Sequence, residues 1–174
     1  VYGDNRELTH YIGIYEDITE SKRAQQRIER LAYTDNLTSL GNRPAFIRTL
    51  DERFARASTA PSCLLLVDID NFKRINDSLG HQTGDKLLIS LARRLRNTLS
   101  PADILARFAS NEFAILLDDT TVEAGQHTAN QLLMTLDKPM FVDNQLISVT
   151  GSVGVACAPL HGLDPQTLMR NAGL

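Results

Sequence analysis

Within residues 107–117 two apolar, β-rich runs meet across a short polar tip at Ala109, Ser110 and Asn111. Leu105, Arg107, Phe113, Ile115 and Leu117 share one phase, which predicts two strands joined by a tight turn whose tip lies at a sheet end. Upstream, the unbroken apolar run from Cys63 to Val67 ends in Asp68, Ile69 and Asp70 and predicts a central strand covered on both faces. Helical spacing predicts a helix from Pro44 to about Ala57, burying Phe46, Ile47, Leu50 and Phe54. It predicts another from Asp85 to about Leu99, burying Leu87, Leu88, Leu91, Leu95 and Leu99 and leaving Arg93, Arg94 and Arg96 in water. A short helical piece over 72–77 and a turn over 79–84 stand between strand and helix.

Further on, residues 121–136 read as an amphipathic helix and 139–142 as a short strand. Asp143-Asn144 is a hairpin-type turn, residues 145–158 form one strand, and a last helix begins near 164. At the other end, residues 8–18 have strand density. They feed a helix over 19–33 with Thr19 or Ser21 as cap and a thin apolar stripe of Ala24, Ile28, Leu31 and Ala32. Such a stripe calls for a partner helix, a solvated linker helix being the alternative. The order of elements predicts an α+β domain: a mostly antiparallel, ferredoxin-like or palm-type sheet flanked by helices.

Composition narrows the choice of ligand. In 174 residues the net charge is −3 and the pI about 5.8, which excludes the basic face that duplex nucleic acid needs and leaves small nucleotides. No apolar run approaches the roughly 18 residues of a membrane span. Cys63 and Cys157 each sit in an apolar run and read as small buried hydrophobes, in keeping with a reducing cytoplasm. The chain opens inside a strand pattern and stops inside a helix pattern, which predicts a piece of a longer protein.

Several residues carry chemistry. Asp68 and Asp70, two apart on a strand, point to one face and with the hairpin tip offer oxygen ligands to a divalent cation, one of them being possible as a structural carboxylate instead. The amides of Asn71, Phe72 and Lys73 enter a short helix and present positive dipole ends to a phosphate. Asn76 and Asp85 flank the next turn; a carboxylate takes two hydrogen bonds from the N1 and N2 edge of guanine, and an amide donates and accepts at the same ring.

Four ordered motifs then carry a family resemblance: Asp35-x-Leu-Thr-x-Leu-x-Asn-Arg43, Asp68-Ile-Asp-Asn-Phe-Lys-Arg-Ile-Asn-Asp77, Gly80-His-x-x-Gly-Asp85 and Arg107-Phe-Ala-Ser-Asn-Glu-Phe113. Residues 35–174 resemble the GGDEF domain of diguanylate cyclases, cut short in its C-terminal helix. Tyr11-Ile-Gly-Ile-Tyr-Glu-Asp-Ile-Thr19 resembles the end of a PAS domain, so residues 1–19 close that domain and 20–34 form the signalling helix. In active members, the resemblance implies, two domains meet face to face, each with GTP and Mg2+, and make cyclic di-GMP. Asp68 and the Ile69 carbonyl then ligate metal, Asn71, Phe72 and Lys73 hold phosphate, and Asn76 and Asp85 read guanine.

The signature loop departs from the family. Ala109-Ser110-Asn111-Glu112-Phe113 stands where Gly-Gly-Asp/Glu-Glu-Phe is expected. Glycines there permit positive φ and close approach of nucleotide to backbone, which a Cβ on Ala109 or Ser110 obstructs. Asn111 removes one negative charge beside the cation, worth about 4 kcal/mol at 4 Å and an effective dielectric of 20, or about a thousandfold in rate. Ser100 also replaces the arginine of the product-inhibition site, although Asp103 remains, and Ser39 replaces a turn glycine. The expectation is a degenerate cyclase domain without catalytic residues: a GTP-binding regulatory or dimerisation module, cytoplasmic in this segment, pairing through 20–34 and acting on a downstream EAL phosphodiesterase domain. A weak cyclase and a nucleotide-independent scaffold are the alternatives.

Overall fold

A computed structural model describes residues 17–56 and 60–173. The chain divides between Arg30 and Leu31 into two units. Helix α1, Thr19–Tyr33, runs across that division. At its start the Asp17 Oδ1 accepts from the Thr19 amide at 2.9 Å, ahead of the Thr19 or Ser21 cap that the sequence suggests. Ile28 and Leu31 of its apolar stripe are 63% and 61% exposed, so among the described residues nothing covers them. The expected strand over 8–18 lies outside the described residues except for its last two positions.

In the second unit, α2 (Arg43–Ala55) starts where the Asn42 side chain accepts from the Ala45 amide and Pro44 fills the first turn. Strand β1 (Ser62–Ile69) leads to α3 (Phe72–Leu79) and α4 (His81–Thr98), then β2 (Ile104–Arg107), β3 (Glu112–Asp118) and α5 (Val122–Leu136). After these come β4 (Met140–Val142), β5 (Gln145–Ile147), β6 (Gly151–Ala158) and α6 (Pro165–Ala172). The main sheet has the order β2-β3-β1-β6 with every neighbouring pair antiparallel, the ferredoxin-like arrangement the element order predicts. β4 and β5 form a separate two-stranded ribbon.

Alternation along β1 divides the interior in two. Cys63, Leu65, Val67 and Ile69 join Leu87, Leu91, Leu95, Phe113 and Leu132 on the face covered by α4 and α5. Leu64 joins Phe46, Leu50, Leu116, Ala156 and Leu168 on the face covered by α2 and α6. With both faces covered, β1 is the buried central strand its apolar run predicts. Among the described residues, no helix is long and apolar enough to cross a membrane.

Four expectations are corrected. Helix α4 begins at His81, four residues before Asp85, because the buried Gly84 lies inside the helix and gives room to the Asn76 side chain. The single strand expected over 145–158 is two strands in two sheets. Arg94 and Arg96 are not merely solvated: Arg94 donates to the carbonyls of Thr135, Lys138 and Pro139, and Arg96 to those of Asp103 and Ser100. Cys63 and Cys157 are buried as expected but are register partners on β1 and β6 and form a disulfide, which removes the free-thiol reading behind a reducing compartment.

Arg53 is a buried cation that the helical pattern conceals. It pairs with Asp118 at the far end of β3 and donates to the Ala60 carbonyl at 2.9 Å.

Candidate functional site

The end of β1 and the β2–β3 tip meet because register puts Asp68 opposite Glu112 on one side and Ser152 on the other. The Ile69 amide donates to the Asn111 carbonyl at 3.0 Å and the Asp70 amide to the Thr150 carbonyl at 3.0 Å, so the strand end is held on both flanks. On the β6 side, Gly151 permits the close approach: a Cβ there would sit 2.9 Å from the Asp68 carbonyl oxygen and 2.7 Å from Leu136.

The two aspartates do not act together. The Asp70 carboxylate accepts from the hydroxyls of Thr150 (2.7 Å) and Ser152 (3.2 Å) and ties β1 to the start of β6. Asp68 faces the hairpin tip. Burial, then the nearby Glu112 and Asp70 carboxylates, push its carboxyl above the ordinary range, against the pull of the Asn111 hydrogen bond. A small cavity of about 200 Å³ lies there, bounded by Leu66, Val67, Asp68, Phe108, Glu112 and Gly173.

The tip closes without left-handed backbone at Ala109 or Ser110. The amides of Phe108 and Ala109 both reach the Glu112 carbonyl, at 2.8 and 3.3 Å. Arg107 stands under the loop, donating to the Ser110 carbonyl at 2.8 Å and to both Asp35 oxygens at 3.2 Å. Asp35 in turn accepts from the Thr38 amide and hydroxyl. Burial opposes its ionisation, but the Thr38 hydrogen bonds and the Arg107 charge prevail and hold its carboxyl below the usual value.

Asn111 decides what this corner can hold. Its Nδ2 donates to Asp68 Oδ1 at 2.8 Å and to the Ile69 carbonyl at 3.1 Å, the two oxygens that the resemblance assigns to a metal. Its Oδ1 accepts from the Ser110 hydroxyl at 3.0 Å, and because both corner oxygens are acceptors the nitrogen end faces them. Among the described residues, no group of three or more His, Cys, Asp or Glu is arranged to hold an ion. The residues as placed therefore do not fit the Mg2+ that the resemblance implies.

The phosphate and base positions are better preserved. Asn71 takes a left-handed conformation (φ 55°, ψ 24°) and its carbonyl accepts from Arg74 and Ile75, leaving the first-turn amides of Phe72 and Lys73 without intrahelical acceptors. One helix later, Gly84, one position before the exposed Asp85, packs against the Asn76 side chain. Asn76 Oδ1 is buried with no hydrogen-bond partner.

At the position where the resemblance implies a product-inhibition site, the Asp103 carboxylate accepts from the Ser100 amide at 2.8 Å, a turn contact with no arginine on residue 100. A concavity of about 570 Å³ borders Asp70, Asn71 and Arg74 but none of Asp68, Asn76 and Asp85, so it is not the nucleotide site the resemblance implies.

A ferredoxin-like sheet with an acidic strand end under a hairpin tip, and an amide and a carboxylate where two helices meet, defines a palm-type domain. The chain belongs to the GGDEF family: the family model described as "Diguanylate cyclase, GGDEF domain" matches residues 32–174. It is 36% identical over 153 residues to cyclic di-GMP phosphodiesterase NbdA of Pseudomonas aeruginosa, covering 87% of this chain and 20% of NbdA. It is 42% identical over 127 residues to diguanylate cyclase DgcP of the same organism, covering 71% of this chain and 19% of DgcP. The chain thus spans about a fifth of the length of these relatives. Among solved structures, the GGDEF domain of YfiN from P. aeruginosa superposes with a TM-score of 0.76 at 33% identity, covering 80% of this chain and 84% of that one.

Proposed function

We propose that this domain is a catalytically silent member of its family: a guanine-nucleotide-binding regulatory module in cyclic di-GMP signalling. The observation that carries the reading is the Asn111 carboxamide, which puts a neutral donor against Asp68 and Ile69 where cyclisation needs an anion beside a cation. Nucleotide recognition is supported by the α3 amides at Phe72 and Lys73 and by the exposed Asp85 carboxylate, with Asn76 half-buried against the adjacent Gly84.

The target of regulation is a phosphodiesterase domain of the EAL type in the same polypeptide. Support comes from the name of NbdA and from the small share of that relative which this chain spans. Input arrives through α1, whose exposed Ile28 and Leu31 suit pairing with a second helix, and upstream of it a PAS domain ends near residue 19. A nucleotide acts on such an arrangement only by binding its two states with different affinity.

The test is incubation of the purified domain with GTP and Mg2+ or Mn2+, with chromatography for cyclic di-GMP and calorimetry for GTP. The expected result is heat of binding without product. Sustained synthesis overturns the reading, as does the absence of any GTP binding.

A further inference from the structure

We propose that the Asn111 amide is a built-in substitute for the divalent cation, so that this domain takes guanine nucleotide with no metal requirement. The inference rests on the nucleotide-binding reading above and concerns how that same site works. A carboxamide nitrogen carries two donor hydrogens. Here that nitrogen is within hydrogen-bond distance of both oxygens at the corner, 2.8 Å from Asp68 Oδ1 and 3.1 Å from the Ile69 carbonyl. Each of those oxygens would otherwise turn to a cation or to water.

Three further contacts keep the amide in place. The Ser110 hydroxyl engages its oxygen at 3.0 Å, and the Ile69 amide holds the Asn111 carbonyl at 3.0 Å. Below the loop, Arg107 grips the Ser110 carbonyl at 2.8 Å. Turning the amide so that its oxygen faces the corner sets one acceptor against two others, the Asp68 carboxylate and the Ile69 carbonyl. Mg2+ wants near-octahedral oxygens at about 2.0–2.1 Å and gives up water reluctantly, so it gains little by displacing a donor already satisfied there. What remains for a nucleotide is metal-free recognition: base edge at Asn76 and Asp85, phosphate at the Phe72 and Lys73 amides.

Two measurements test this. The first is GTP affinity of the wild-type domain by calorimetry, in Mg2+ and again in EDTA. The two values are expected to agree within about twofold, whereas Asn111→Asp, which turns the donor into a third oxygen ligand, is expected to bind at least about tenfold tighter with Mg2+. The second uses Mn2+ alone, without nucleotide, followed by electron paramagnetic resonance of the free ion. Wild type is expected to take up none, and Asn111→Asp one ion that the added Asp68→Asn abolishes.

A wild-type affinity that rises tenfold with Mg2+ overturns the proposal, and so does a wild-type Mn2+ site lost in Asp68→Asn. If GTP binds in neither buffer, the nucleotide-binding reading fails by itself while the Mn2+ experiment still decides this one. Should Asn111→Asp not fold, Asn111→Ala uncovers the same two oxygens without adding charge, and gain of Mn2+ uptake in it supports the proposal; no gain counts against it.

Discussion

Replacing Gly84 by alanine separates a packing effect from a recognition effect at one position. The new Cβ would stand 1.9 Å from Asn76 Oδ1, 3.0 Å from Asn76 Cγ and 3.3 Å from Phe72 Cζ. Alanine in place of glycine inside α4 contributes about 1 kcal/mol through helix propensity. Against that, the Asn76 side chain must leave its rotamer, at about 0.5–1.5 kcal/mol, and the Phe72 ring must yield a few tenths of an ångström. The net change in stability is a loss of about 0–2 kcal/mol. With Asn76→Ala as background the 1.9 Å obstacle is gone and only the 3.3 Å Phe72 contact remains, so the same substitution is expected to be more favourable than in wild type by about 0.5–1.5 kcal/mol, the coupling between the two sites. Urea denaturation of the four proteins reads the cycle. GTP affinity should fall about tenfold in either single variant, as expected for losing one hydrogen bond of about 1.4 kcal/mol. Equal stabilisation by alanine in both backgrounds, with affinity intact, would refute the placement of Asn76 behind Gly84.

Other outcomes follow from contacts already described. Ser39 holds φ 60° in the turn between Asp35 and Leu40, so Ser39→Gly is expected to raise stability by about 1 kcal/mol in thermal or urea unfolding, and a loss would contradict the left-handed assignment. Because the Asp35 carboxyl is held below its ordinary value of 3.8, its contribution is complete above that value and fades as pH falls through it toward the lower folded value. Asp35→Asn should lower stability at neutral pH and flatten that acid limb, and an unchanged limb would show the ion pair to be inert. Reducing the Cys63–Cys157 bridge, which spans 94 residues of chain, should lower stability by about 2–4 kcal/mol, while a double alanine variant should be indifferent to reductant.

The hairpin and the central strand were legible in the sequence because their side chains obey a period of two or an unbroken apolar run, signals that depend on nothing distant. The helix start was not. Gly84 has the composition of a turn, and only the Asn76 side chain lying against it explains a glycine within α4. Nor was the break between β5 and β6 legible, since Ser148, Val149 and Thr150 keep strand-like composition where the chain leaves one sheet for the other.

The disulfide depends on register between strands 94 positions apart, which periodicity does not carry. Arg53 looked like an ordinary surface charge until the far end of β3 supplied Asp118. At the site, the absence of charge on Asn111 and on Ser100 was evident from residue type alone. That the amide nitrogen would lie against Asp68 and Ile69 required the pairing of Asp68 with Glu112 to be known. The concern that Ala109 and Ser110 would resist a glycine-like bend was met differently: the loop closes without adopting one.

Arg107 serves two masters, the Asp35 carboxylate just past the end of α1 and the Ser110 carbonyl in the signature loop. One planar guanidinium with fixed angles between its nitrogens leaves little slack. Displacing the segment at residue 35 must drag the loop with it or surrender an ionic contact, so a single side chain gears the turn after α1 to the hairpin tip.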